Sequence, residues 1–195
     1  NGGSQLALAS FEDAYAIGTI FINTNLAACA GVAIAAALTR LVFGKTDVIQ
    51  MLNGALGGLV AITAEPLLPS PFLAIVIGGI GGAIGVFGSQ LLIKIKIDDV
   101  VGAIPVHLFA GIWGTVALAL LGDPAKIGTG LSRLDQLEVQ LLGIASIGLY
   151  SFVIAYVVFK IINHFYPLRV DANAELIGLN VAEHRVSTEV FDLLA

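Results

Sequence analysis

The chain has 195 residues, of which 57% are hydrophobic and 12% are charged. Soluble domains carry about 25% charged residues, about twice the fraction found here. A chain this short also cannot bury so many apolar side chains in a hydrophobic core, which excludes a soluble globular domain. The net charge of −5, without a basic patch, excludes nucleic-acid binding.

Five apolar stretches follow one another, and a membrane-spanning helix needs about 20 such residues. The predicted spans cover about residues 14–38, 48–62, 71–93, 100–121 and 139–162. We therefore predict an all-α integral membrane protein whose membrane domain covers residues 1–170. Residues 171–195 are polar and charged and are predicted to form a cytoplasmic tail, in which Ser187 or Thr188 would cap a further helix.

The basic residues predict how these spans are oriented, since Lys and Arg concentrate on the cytoplasmic side. They lie between spans one and two, between spans three and four, and around the end of span five: Arg40, Lys45, Lys94, Lys96, Lys160 and Arg169. The loop between spans two and three has none. We expect a multi-pass protein of the cell (plasma or inner) membrane, with the start of span one outside and the C-terminus in the cytoplasm.

Small and polar residues inside the spans are interpreted as packing features. The glycines of spans two and three would let helices approach closely, which we favour over a direct role in a pore wall. Asn23, Asn25 and Asn53 are interpreted as hydrogen-bond partners between helices. Trp113 is interpreted as a packing residue, and Glu65 is expected only to fix the turn outside the membrane between spans two and three.

The fourth span contains one titratable group, His107, and begins beside Asp98 and Asp99. An ionisable side chain at membrane depth usually faces a protein interior or a polar pathway. The imidazole could therefore line a transport pathway, or it could be a neutral ring hydrogen-bonded to a neighbouring helix. Asp98 and Asp99 are predicted to cap the helix on the cytoplasmic side rather than to bind substrate.

Motifs for enzymatic chemistry are missing from the sequence. It contains no phosphate-binding loop, dinucleotide fingerprint or Ser/His/Asp set. The three histidines lie in a span, at the end of another and in the tail, so they form no local ligand cluster. We expect neither an enzyme nor a bound metal or cofactor.

Several motifs, in colinear order, carry a resemblance that covers essentially the whole chain. They are NGGS, FINTNLAA, LNGALGGLVAIT, the Asp pair, VH before GIWGT, LLGIASI and a GL-x-x-x-EH tail. In this combination the chain resembles the ammonium transporter family (Amt/Mep/Rh). The resemblance implies part of a bundle of eleven helices built as inverted repeats, namely the end of the sixth helix and the seventh to eleventh, in a homotrimer.

The resemblance also implies roles for individual residues. His107 stands where the family has the second of two pore histidines, and Ser4 and Asn1 match the outer ammonium recruitment site. Neutral ammonia would then cross a narrow apolar lumen while the histidine pair relays the proton, and potassium would be excluded. The first histidine and the gating phenylalanine would precede Asn1, so we expect a piece of a longer protein that cannot transport alone.

Some positions depart from the family pattern. Gly102 stands where an acidic residue is common, Leu108 where glycine is common, and Pro105 is unusual at a helix start. In the tail, Asn180 and Arg185 replace common Asp and Gly. These changes keep two alternatives open: an ammonium sensor coupled through the tail to a cytoplasmic signalling domain or regulatory protein, and a membrane scaffold without transport.

Overall fold

A computed structural model describes residues 1–67 and 69–184, and every regular element in this part of the chain is a helix. The long helices are α1 (Phe11–Phe43), α2 (Val48–Ile62), α3 (Pro71–Lys94), α4 (Ala110–Leu121) and α6 (Arg133–Phe165). The short ones are a 3-10 turn (Gly2–Gln5), α5 (Pro124–Ile127), α7 (Ala172–Ile177) and α8 (Leu179–Ala182). The predicted all-α class is confirmed.

The region before α4 differs from a regular helix. A π-helical segment, Ile104–Phe109, leads directly into α4. With this segment included, four helices of the described chain are long and apolar enough to cross a membrane, and α2 is shorter at 15 residues. The fourth helix thus begins four residues after the predicted position 100. The helix expected at Ser187 or Thr188 lies outside the described residues.

The three helices α1, α2 and α3 begin at side-chain caps. Ser10 accepts a hydrogen bond from the backbone of Asp13, whose carboxylate accepts in return from the backbone of Ser10. Asp47 and Ser70 cap α2 and α3, and Pro71 occupies the first position of α3. Such caps satisfy backbone donors that a helix leaves without partners at its beginning.

Glycines hold α1, α2 and α3 in backbone contact. A Cβ atom at Gly31 would collide with the carbonyl oxygen of Gly54, and one at Gly57 would lie 2.7 Å from the carbonyl oxygen of Gly81. A Cβ at Gly82 would collide with the carbonyl oxygen of Gly31. Because nothing larger fits at these crossings, the interpretation of the glycines as helix-packing residues is confirmed.

The chain divides into two compact units. The first, Asn1–Ala145, contains α1 to α5 and the beginning of α6, with a core of buried apolar residues from α1 to α4: Ala27, Ala61, Ile62, Ala74, Ile77 and Ala117. The second begins at Ser146 and contains the rest of α6 with α7 and α8. In this second unit Arg169 and Glu175 form an ion pair.

Candidate functional site

His107 lies in the middle of the π-helical segment. The two preceding residues, Pro105 and Val106, are buried in the bundle, whereas His107 and Leu108 are exposed on its surface. Among the described residues, none donates to or accepts from the imidazole in a hydrogen bond. The ring therefore faces away from the core that α1 to α4 form.

The π-helical segment begins after a turn that α2 supports. Gly102 is left-handed and its carbonyl oxygen accepts from the backbone N–H of Val106, so Pro105 lies in the first turn, where a backbone N–H would have no helical acceptor. The carbonyl oxygen of Val101 precedes these helical bonds, and the Nδ2 atom of Asn53, on α2, donates to it at 3.1 Å. Short π-helical stretches inside longer helices are frequent at functional sites.

Gly102 and Asn53 lie in close contact at the turn before the π-helical segment. Gly102 has a φ angle of +76°, a left-handed conformation that glycine adopts without steric cost. A Cβ atom there would also lie 2.5 Å from Nδ2 of Asn53. The side chain of Asn53 on α2 thus occupies the space that an acidic side chain at position 102 would need.

Asp99 supports the beginning of the segment from its other side. Its two carboxylate oxygens accept hydrogen bonds from the backbone N–H groups of Ala103, at 2.9 Å, and Ile104, at 2.8 Å. Asp98 is exposed and lines, together with Asp99, Gln50 and Asn53, one side of a cavity of about 190 Å³ between the beginning of α2, the end of α3 and the loop that follows α3. Apolar side chains, among them Leu92 and Ile97, line the rest of this cavity. Both carboxylates thus lie at the entrance to the His107 helix.

Asn1 and Ser4 lie together in the turn before α1, here called the outer turn (residues 1–5). The backbone N–H of Ser4 donates to the carbonyl oxygen of Asn1 at 2.9 Å, and both side chains are exposed. Nδ2 of Asn1 donates to the hydroxyl of Thr24 on α1 at 3.2 Å. In the described structure no hydrogen bond joins the outer turn to His107.

The other polar residues of the spans have identified contacts. Nδ2 of Asn23 donates to the carbonyl oxygens of Pro66 and Pro69, so its partners lie in a loop rather than on a helix. The indole N–H of Trp113 donates to the carbonyl oxygen of Ile77 at 3.0 Å. Across residues 1–67 and 69–184, no three His, Cys, Asp or Glu side chains are grouped to hold a metal ion.

Two contacts of this site were not predicted from the sequence. The contact of Asn53 with the carbonyl oxygen of Val101 crosses 48 positions. The contact of Asn1 with Thr24 crosses 23 positions. The local signals are Gly102 and Pro105, since glycine permits a left-handed turn and proline is tolerated in the first turn of a helix.

The sequence of this chain matches a family model and several named relatives. Residues 1–189 match the family model described as Ammonium Transporter Family. The chain is 38% identical to ammonium transporter Amt2 of Archaeoglobus fulgidus, with 94% of this chain and 41% of that protein aligned. It is 34% identical to the ammonium transporter of Bacillus subtilis, with 84% and 42% aligned.

Solved structures show the same similarity. A protein described as a sensor Amt protein superimposes with a TM-score of 0.83 at 32% identity, over 94% of this chain and 44% of that one. Mep2 from Candida albicans gives a TM-score of 0.76 at 21% identity, over 89% and 40%, which supports the fold. The chain spans about two fifths of the length of the curated relatives it matches.

Proposed function

The chain belongs to the ammonium transporter family, and we propose from this premise that it forms the C-terminal part of a membrane pore for ammonia. In this proposal His107 lines a narrow apolar passage and exchanges protons with the pore histidine of the preceding part. The complete protein that contains this chain transports ammonium and is not an enzyme. The two halves of the membrane domain meet across the face that carries His107.

The physical reason for such a passage is the cost of moving an ion through hydrocarbon. An isolated charge in a low-dielectric medium costs tens of kcal/mol, and proteins avoid this cost by changing its protonation state. Ammonium can lose a proton and cross as neutral ammonia, whereas potassium cannot. An imidazole both donates and accepts hydrogen bonds and changes charge near neutral pH, so it can carry the separated proton.

One observation carries this proposal: the imidazole of His107 is exposed, on a segment whose neighbouring residues are apolar. A histidine that serves only to satisfy the interior would be buried and hydrogen-bonded to an adjacent helix. Here Pro105 and Val106 face the core and His107 and Leu108 face away from it. The arrangement favours a ring that faces a lumen formed with the other half of the pore.

The outer turn is proposed to collect ammonium at the pore entrance. The hydroxyl of Ser4 and the amide oxygen of Asn1 are acceptors, which suits an ion with four N–H donors. The hydrogen bond between Asn1 and Thr24 holds this turn on α1. Asp98 and Asp99 are proposed to cap the His107 helix at the cytoplasmic end.

The remaining expectations belong to the same proposal. The protein lies in the cell membrane as a homotrimer, with its C-terminus and residues 171–195 in the cytoplasm. The charge distribution supports this orientation, because the loop between α2 and α3 contains no Lys or Arg.

The test is uptake of radiolabelled methylammonium by the complete transporter that contains this chain. We expect His107→Ala to change the uptake rate or to allow potassium to compete. His164→Ala removes an exposed histidine near the end of α6 and is expected to leave both unchanged. Unaltered rate, pH dependence and potassium exclusion in His107→Ala would contradict a pore role for this ring.

A second candidate is an ammonium sensor that conducts little. It is favoured by the 32% identity and TM-score of 0.83 to the sensor Amt protein, and by Gly102 in place of an acidic residue. Ammonium binding to the purified complete protein, without methylammonium flux in proteoliposomes, would support sensing. Flux at a rate comparable to that of A. fulgidus Amt2 would support transport.

A further inference from the structure

Glu65 is a buried carboxyl group in the loop between α2 and α3, outside the spans. The residue is 1% exposed, and its backbone N–H donates to the carbonyl oxygen of Ile62. Neither side-chain oxygen accepts a hydrogen bond from any described residue. This is unusual, because a buried carboxylate normally requires a cation or several donors to offset its lost hydration.

Glu65 packs beside the C-terminal end of α4. A Cβ atom at Gly122 would lie 3.2 Å from Oε2 of Glu65 and would collide with the carbonyl oxygen of Leu118. The carboxyl thus packs at the C-terminal end of α4, where helix carbonyls carry negative partial charge. Asn23, which binds this loop through Nδ2, has its Oδ1 atom buried without a donor.

The charged groups nearby do not neutralise Glu65. Arg133 donates to two carbonyls near the end of α4, at 3.2 and 2.8 Å, and in the described chain it forms no ion pair with Glu65. Asp123 caps α5, and Lys126 on α5 is exposed and forms no ion pair among the described residues. The helices α2 and α4 contain no charged residue, and α1 and α3 contribute the neutral Asn23 and Ser70 beside the loop.

We propose that Glu65 is a proton-binding site, and that its neutral carboxyl keeps this residue packed against the end of α4. A proton removes the buried charge and converts one oxygen into a donor, which suits the helix carbonyls at the end of α4. It also requires no additional volume, whereas a metal or ammonium ion would need space beside Oε2, where Gly122 already packs. This inference does not depend on the transport proposal.

The titration of this group gives the expected direction of the pH effect. Burial raises the pKa of Glu65 from 4.5 to about 7. The folded protein therefore binds this proton more tightly than the unfolded chain does. Its contribution to stability is fully present below about pH 4.5 and is lost as the pH rises through about 7.

The experiment uses the complete protein that contains this chain, in lipid nanodiscs, and compares the wild type with Glu65→Gln, which mimics the neutral acid. Infrared difference spectra between pH 5 and pH 8.5 should show a protonated-carboxyl C=O band in the wild type that is absent from Glu65→Gln. The melting temperature should fall by several degrees over this pH range in the wild type and by less in Glu65→Gln. Glu175→Gln removes an exposed, ion-paired carboxylate and should keep the wild-type band.

The outcomes separate clearly. A wild-type protein without this band at pH 5, or with the same band in Glu65→Gln, would overturn the proposal. An equal decrease in melting temperature in the wild type and Glu65→Gln would contradict a role of the proton in keeping Glu65 packed against α4. If Glu65→Gln does not fold, the titration of the wild-type band, which should be centred well above the ordinary glutamate pKa, decides alone.

Discussion

Asn53 donates from its side chain to the carbonyl oxygen of Val101 at 3.1 Å, in the turn that precedes the segment with His107. The bond joins α2 to the beginning of the π-helical segment that carries His107. Gly102, directly after Val101, provides the left-handed turn and the space that the amide occupies. The orientation of the histidine therefore depends on residues of two separate helices.

This relationship predicts that Asn53 and Gly102 are energetically coupled. Asn53→Ala removes the hydrogen bond to Val101, which should cost about 0.5 to 1.5 kcal/mol in unfolding free energy. A Cβ atom at Gly102 would lie 2.5 Å from Nδ2 of Asn53, so Gly102→Ala should cost less in an Asn53→Ala background, in which only the left-handed backbone is unfavourable for alanine. A double-mutant cycle by thermal or denaturant unfolding measures the difference.

The control for this cycle is Ser89→Ala. The hydroxyl of Ser89 lines the same cavity as Asn53 but donates within its own helix, to Gly85. Its cost should be the same with and without Gly102→Ala. Additive effects of Asn53→Ala and Gly102→Ala would show that the amide does not occupy the space beside Gly102.

The sequence predicts most of the helices because their signals are local. Apolar length identifies α1, α3 and α6, and Pro71 marks the position where α3 begins. The π-helical segment cannot be predicted in this way, since the turn before it is held by a hydrogen bond from Asn53, which lies far away in the chain. For the same reason the burial of Glu65 was missed: the loop after α2 packs against the end of α4, which follows more than 50 residues later.

The glycines of α1 offer a matched pair for testing helix packing. A Cβ atom at Gly31 would meet the backbone of α2, whereas one at Gly18 would meet nothing within 4 Å. We expect Gly31→Ala to destabilise the protein by about 1 to 3 kcal/mol or more, because the helices must separate. Gly18→Ala should be neutral or stabilising by up to about 1 kcal/mol, since alanine favours helix.

Thermal unfolding of both variants in the same detergent measures this difference. Both substitutions add one methyl group to the same helix, so changes in helix propensity are matched. A Gly31→Ala protein as stable as Gly18→Ala would mean that α1 and α2 can move apart without cost. That result would contradict the close approach of the two backbones.

The contact between Asn1 and Thr24 predicts how the outer turn affects substrate capture. Thr24→Val keeps the shape of the side chain but removes the hydroxyl that accepts from Asn1 at 3.2 Å. The turn that carries Ser4 would then be held less firmly on α1. We expect a two- to tenfold higher half-saturation concentration for methylammonium in the complete transporter, since a hydrogen bond contributes about 0.5 to 1.5 kcal/mol.

Thr19→Val is the matched control, because the hydroxyl of Thr19 donates only to the carbonyl of Tyr15 in the preceding turn of the same helix. It should leave the half-saturation concentration unchanged. The exclusion of potassium should stay intact in both variants, since the outer turn has no hydrogen bond to the His107 segment in the described structure. Equal half-saturation concentrations in Thr24→Val and Thr19→Val would mean that Thr24 does not hold the outer turn in position. The structural basis for a recruitment role of Asn1 and Ser4 would then be lost.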